Sequence, residues 1–457
     1  MPAIRSLVIA FGMMLLLLGA AAVQPRADSA DRAVARAFLT LLVGELGDRT
    51  PAMELIETRW DPSYLPMALE VLRLSRSTEV SGPLVEIMER ETGVGLGQDL
   101  FAWQRHMWSS PEARHPRYAA FKSALYSLID PRFSAYFDTV AKPLIRLDEI
   151  VWGGVRQDGI PPLRDPAMLA AEDASYIEDD NIVFGISVNG DARAYPKRIL
   201  AWHEMFVDTV GGVPVAGVYC TLCGTVILFH TRHEGVLHRL GTSGFLYRSN
   251  KLMYDQATQS LWSTMQGTPV VGPLAGKDIV LERGSVVTTT WGEWRRRHPG
   301  TRVLSLDTGH QRNYAEGAAY RDYFATDELM FSVPVLDTRL KNKDEVFTIL
   351  LANHPEAPLA ISAEFLASNP VHHDAIEDMA LVVLSDPSGA NRAYASEDVT
   401  FTRYDGDRTV EDSTGMTWTM EEHALSAGDG RVFQRVPAQR AFWFGWYAAF
   451  PNTRLVR

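Results

Sequence analysis

Trp291-Gly292-Glu293-Trp294, followed by Pro299, Thr301 and Arg302, returns as Trp443-Phe444-Gly445-Trp446, followed by Pro451, Thr453 and Arg454, at identical internal spacing. A match at fixed offsets between distant stretches is the mark of an internal repeat. It extends upstream. Val183-Phe184-Gly185-Ile186 through Ile199-Leu200 is echoed by Val346-Phe347-Thr348-Ile349 through Phe365-Leu366, and Asp255 to Trp262 by Asp412 to Trp418. Two homologous β-rich modules are therefore expected, at 151–310 and 340–457, with a linker over 311–339.

The strand reading rests on β-branched alternation. Ile182 to Val188 alternates in this way and runs into Asn189-Gly190, after which Ala192-Arg193-Ala194-Tyr195 ends at Pro196. An Asn-Gly pair between two such runs predicts a hairpin. Further strands are expected at 213–219, 226–229, 270–271 and 302–306. Residues 31–150 read differently: Val34, Phe38, Leu41 and Leu42, then Leu65, Leu69 and Leu72, then Leu84, Ile87 and Met88 recur at helical spacing between Gly and Pro breaks. The expected fold class is thus α+β, an all-α, solenoid-like N-terminal domain followed by the two modules.

Arg5 followed by an apolar run from Leu7 to Val23, ending in Gly19-Ala20-Ala21-Ala22, reads as a signal peptide over 1–22, with a retained N-terminal anchor as the alternative. The expected location is extracytoplasmic, periplasmic or secreted. A formal charge of −12 argues against nucleic acid as a partner, because phosphate binding needs a basic face. Gly211-Gly212 and Gly241-Thr242-Ser243-Gly244 lack the setting and the lysine of a phosphate loop, which argues against a nucleotide. A protein partner for the helical domain is left open.

Chemistry concentrates at one point. The only two cysteines of the 457 residues are Cys220 and Cys223, in Tyr219-Cys220-Thr221-Leu222-Cys223-Gly224. Such a pair is a redox dithiol, a disulfide or part of a metal site. The second module carries Leu381 to Asp386 in the corresponding region, without a thiol. The shared Trp and Pro-x-Thr-Arg residues are accordingly assigned to structure and the unshared cysteines to function.

Asp158-Gly159-Ile160-Pro161-Pro162, Ala194-Tyr195-Pro196, Trp202-His203-Glu204, the Cys220 motif, Ser243 to Tyr247, Met253-Tyr254-Asp255 and Ser260-Leu261-Trp262 occur in that order. In them the chain resembles a bacterial domain-of-unknown-function family, number three-one-seven-nine, from about Val151 to the C-terminus. The resemblance implies no activity. It departs from the family at His230, a position usually acidic there, which makes His230 a poor ligand candidate.

With no second cysteine pair, further metal ligands would come from His, Met or carboxylate. His203 is the leading candidate, and Met253 is a thioether donor if the metal is copper, the first expectation, with zinc or no metal as alternatives. Glu204 and Asp255 are candidates to orient a ligand. His230, His233 and His238 fall on a polar segment and are expected at the surface. Because Val226 to Phe229 reads as a strand, the pair does not open a helix, so the usual helix-dipole activation of a dithiol is not expected. The functional expectation is an exported metal-binding protein, an oxidoreductase or a carrier, with a thiol-disulfide protein or a structural cysteine pair as the alternative. The substrate is not legible.

Overall fold

The computed structural model describes residues 24–110, 114–137 and 142–457; the expected signal peptide lies outside them. Among the described residues no helix is long and apolar enough to cross a membrane. The chain divides into two compact units between Asp138 and Thr139.

The first unit is helical: α1 (Gln24–Val43), α2 (Leu46–Thr58), α3 (Leu65–Leu74), α4 (Thr78–Thr92), α5 (Leu100–Ser109) and α6 (Tyr118–Ser127). Its helix ends follow local chemistry. Asp99 accepts from the Ala102 N–H at the start of α5, and Gly93 closes α4 in the left-handed region at φ 71°. Helix α3 is the central one, buried from Leu65 through Val71. Its buried Glu70 is paired with Lys122 and accepts from the hydroxyls of Tyr118 and Tyr126. The apolar residues expected to face the core do so at Val34, Phe38, Leu41, Leu84, Ile87 and Met88.

The second unit is β-rich. Its first part contains β1 (Ile182–Val188), β2 (Asp191–Pro196), α7 (Lys197–His203), β3 (Met205–Val210), β4 (Val213–Cys220), β5 (Thr225–His230), β6 (Leu240–Tyr247), β7 (Asn250–Asp255), β8 (Leu261–Ser263), β9 (Thr268–Val271), β10 (Val287–Thr290), α8 (Trp291–Arg297) and β11 (Arg302–Leu304). The β1–β2 turn has both Asn189 and Gly190 at positive φ, which matches the right-handed twist of the strands it joins.

The second part contains β12 (Glu345–Leu351), β13 (His354–Ser362), α9 (Ala363–Ser368), β14 (Val371–Ile376), β15 (Met379–Ser385), β16 (Asn391–Ala395), β17 (Phe401–Tyr404), β18 (Thr409–Asp412), β19 (Thr417–Met420), β20 (Ala424–Ala427), β21 (Val432–Val436), β22 (Ala438–Phe442), α10 (Trp443–Ala449) and β23 (Arg454–Val456). Strands β14 to β21 form one 8-stranded sheet.

In both parts an antiparallel hairpin is flanked on one side by the strand that precedes the Trp-x-x-Trp helix and on the other by a parallel strand that follows it: β10-β1-β2-β11 and β22-β12-β13-β23. The Trp-x-x-Trp residues are buried in each. Trp294 Nε1–H donates to Thr301 Oγ1 at 2.9 Å, and Trp446 Nε1–H donates to Thr453 Oγ1 at 2.9 Å. Each threonine hydroxyl in turn reaches a carbonyl on the hairpin, Ala192 and Pro358 respectively. The motif thus ties its helix to the returning strand and the hairpin, satisfying a buried indole N–H.

Candidate functional site at the cysteine turn

The two cysteines sit in the turn between β4 and β5, where Cys220 pairs with Thr225 across the last rung. They are joined as a disulfide with Cα atoms 5.2 Å apart, and the Cys223 N–H donates to the Cys220 carbonyl. Gly224 permits the return: it lies at φ 60°, and a Cβ there would press on the Phe442 ring at 2.9 Å. The strand expected after the motif is present as β5.

The sulfurs have different surroundings. Cys220 lines a cavity of about 70 Å³ whose other walls include Thr221, Glu204, Lys251, Tyr320 and Phe331. Cys223 has no exposed surface and is absent from that lining. It is sealed by the second part of the unit: the Phe442 N–H donates to the Cys223 carbonyl at 2.7 Å, and Gly445 lies against its side chain. Cys223 Sγ is 2.9 Å from Asn250 Oδ1, and the Asn250 amide group donates to the Gly445 and Arg248 carbonyls. Those two bonds orient Oδ1 toward the sulfur.

Glu204 and Lys251 form a buried ion pair beside Cys220. Glu204 closes α7 in the left-handed conformation at φ 54°, an unusual place for a residue with a side chain. Its Oε1 accepts from Thr221 Oγ1 at 2.9 Å and from the Tyr320 hydroxyl at 3.0 Å. Lys251 follows the two-residue turn Arg248-Ser249, both at positive φ without a glycine. Burial pushes the Lys251 ammonium down from its ordinary value, and the Glu204 carboxylate opposes that only in part. Non-glycine residues in this region, with Tyr320 at φ 57°, store backbone strain around the cavity.

His203 is buried at the end of α7. Its Nδ1 lies 2.9 Å from the Pro161 carbonyl and its Nε2 2.5 Å from the Tyr314 hydroxyl. Burial is the main influence that pushes its pKa down. Among the described residues no group of three or more His, Cys, Asp or Glu side chains is placed to hold a metal ion. Met253 has no exposed surface and shares one buried cluster with both cysteines. Asp255 caps a turn by accepting from the Ala257 and Thr258 N–H groups, and its other oxygen lies 3.2 Å from His238 Nδ1. His238 is buried, unlike the surface position expected of it, because this carboxylate and the Trp262 ring enclose it. His230 pairs with Glu282 at 3.2 Å.

Sequence reading missed Lys251, Asn250 and the three tyrosines of the stretch read as a linker. Tyr314 meets His203, Tyr320 meets Glu204, and Tyr323 donates to the Leu222 carbonyl at 2.8 Å. Four aromatic residues at 314, 320, 323 and 324 were the available signal.

The fold and site define a β-rich protein with a helical N-terminal unit and a single buried Cys-x-x-Cys centre. Residues 157–453, more than half of the chain, match the model of a family described as Protein of unknown function (DUF3179), and the chain belongs to that family. No curated protein and no solved structure matches it.

Proposed function

We propose that the Cys220–Cys223 pair is a thiol-disulfide redox centre, acting outside the cytoplasm as the leader-like residues 1–22 suggest. The observation that carries this reading is the asymmetry of the sulfurs: Cys220 faces a cavity with an ion pair, and Cys223 is sealed. A substrate thiolate attacks Cys220 Sγ, the Cys220–Cys223 bond breaks, and its electron pair leaves on Cys223, which takes a proton. A second substrate thiolate then attacks the substrate sulfur of the mixed disulfide and releases Cys220. Two electrons and two protons pass from a substrate dithiol to the protein; the reverse sequence reduces a substrate disulfide. Asn250 Oδ1 favours the protonated thiol at Cys223 by accepting its S–H, while the Lys251 ammonium favours a thiolate at Cys220. Glu204, Tyr320 and Thr221 hold that lysine in place.

The test is trapping. Cys223→Ser, which removes the resolving thiol, is expected to accumulate a glutathione adduct on Cys220 that mass spectrometry detects, and Cys220→Ser to accumulate none. Equal inertness of both variants toward oxidised glutathione would refute the redox reading.

The second reading is a soft-metal site, copper first, on the reduced thiols with Met253, whose place in the same buried cluster favours it. His203, the expected imidazole ligand, would first have to leave Tyr314. Equilibrium dialysis of reduced protein against copper(I) distinguishes the readings: stoichiometric uptake lost in Met253→Leu supports metal.

We also read the two β-rich parts as copies of one ancestral module. The same strand order around the Trp-x-x-Trp helix and the matching Trp-to-Thr bonds support it. One copy then kept the thiols and the other became the seal over Cys223.

A further inference from the structure

A cavity of about 1090 Å³ is bounded by β9, the segment 276–283, the β12–β13 turn and the end of α10. Its size lies just above the usual range of small-molecule sites, roughly 300–1,000 Å³. The walls are largely aliphatic and aromatic, with Val270, Ile279 and Leu281 on one side and Leu350, Leu351 and Phe450 on the other.

Into this lining comes Arg283. Its Nη2 donates to the Met265 carbonyl, and its Nη1 is shielded from solvent with no hydrogen-bond partner. Among the described residues no carboxylate pairs with it. Burial alone pushes its pKa down to about 10, whereas Arg146, Arg193, Arg248 and Arg392 are all raised, with nearby carboxylates among the causes. The half-buried guanidinium lies over the Phe229 ring, 5.8 Å from its centroid, but has no anion opposite it, and a shielded cation without an anion is costly. Apart from Arg283 the charged lining is close to neutral: Arg232, Arg248 and Lys277 are offset by Glu234, Asp278 and Glu282. Such a rim disfavours a multiply charged phosphate and tolerates a single negative charge.

We propose that this cavity binds a monocarboxylate carrying an unbranched apolar chain, with the carboxylate on Arg283 and the chain along the aliphatic walls. The inference is independent of the redox reading, since no residue of the cysteine cavity takes part.

Calorimetric titration of the full chain with decanoate and with decanol tests it. Saturable one-to-one binding of decanoate, about tenfold tighter than decanol, is expected, tenfold corresponding to about 1.4 kcal/mol. Arg283→Met should abolish that preference, and Val280→Trp, at an exposed position on the wall, should weaken both ligands. Circular dichroism verifies that each variant is folded, and Arg283→Lys, which retains the charge, should keep part of the preference if Arg283→Met does not fold. Absence of saturable decanoate binding, equal affinity for decanol and decanoate, or unchanged binding in Val280→Trp would each overturn the proposal.

Discussion

Gly445, near the end of the second β-rich part, lies directly against Cys223 in the first: a Cβ on Gly445 would stand 2.9 Å from Cys223 Cβ and 3.5 Å from its Sγ. Ordinarily Gly→Ala inside a helix is stabilising by about 1 kcal/mol. Here the clash with a buried neighbour opposes it, and overpacking costs about 1–3 kcal/mol. Gly445→Ala is therefore expected to lower stability and to make Cys223 more reactive toward a maleimide after reduction. Urea denaturation and timed alkylation check it; a stabilised variant with unchanged alkylation would show that the contact relaxes freely.

The Glu204–Lys251 pair gives a second prediction. Removing one member leaves a buried charge uncompensated, at a cost of about 3–5 kcal/mol, whereas removing both is close to neutral. Lys251→Met and Glu204→Gln should each be strongly destabilised, and the double variant should recover most of the loss in a denaturation cycle. Additive losses would mean that the two groups are not coupled.

Thr301→Val and Thr453→Val should behave alike. Each strands a buried indole N–H, Trp294 or Trp446, for which the cost is about 1–3 kcal/mol. A marked difference in midpoint between the two variants would count against the proposed kinship of the two β-rich parts.

Asp374 makes stability depend on acid. Burial raises its pKa, but His372, Arg454 and the Ala375 N–H together outweigh burial and hold the carboxyl at about 2, below its ordinary 3.8. Its folded value being the lower, its stabilisation is present above about pH 4 and is lost as the pH falls toward about 2. Asp374→Asn should flatten that part of the acid limb in urea midpoints measured between those two values; an unchanged slope would contradict the assignment.

Legibility differed between local and long-range features. The Asn189-Gly190 hairpin was readable because its turn requires positive φ at two adjacent residues, a demand local sequence meets or fails. The helices of the N-terminal unit were readable from apolar spacing, and the cysteine turn from the β-branched runs on either side. Leu42 and Leu72 show the limit: they read with the apolar faces of their helices and are only half-buried, because helical spacing says which residues share a face and not where the face ends.

By itself the sequence determined the helical-then-β class and the one turn that holds both thiols, since periodicity, turn residues and a unique thiol pair are all local properties. Only the tertiary structure decided what surrounds those thiols. Lys251 meets Glu204 from 47 residues away, Tyr320 meets Glu204 from 116, and Gly445 seals Cys223 from the other β-rich part. His203 lies close in sequence, yet its ring turns to Pro161 and Tyr314. Burial sets these partnerships, because a charge or ring nitrogen removed from water must find its complement wherever the folded chain places one.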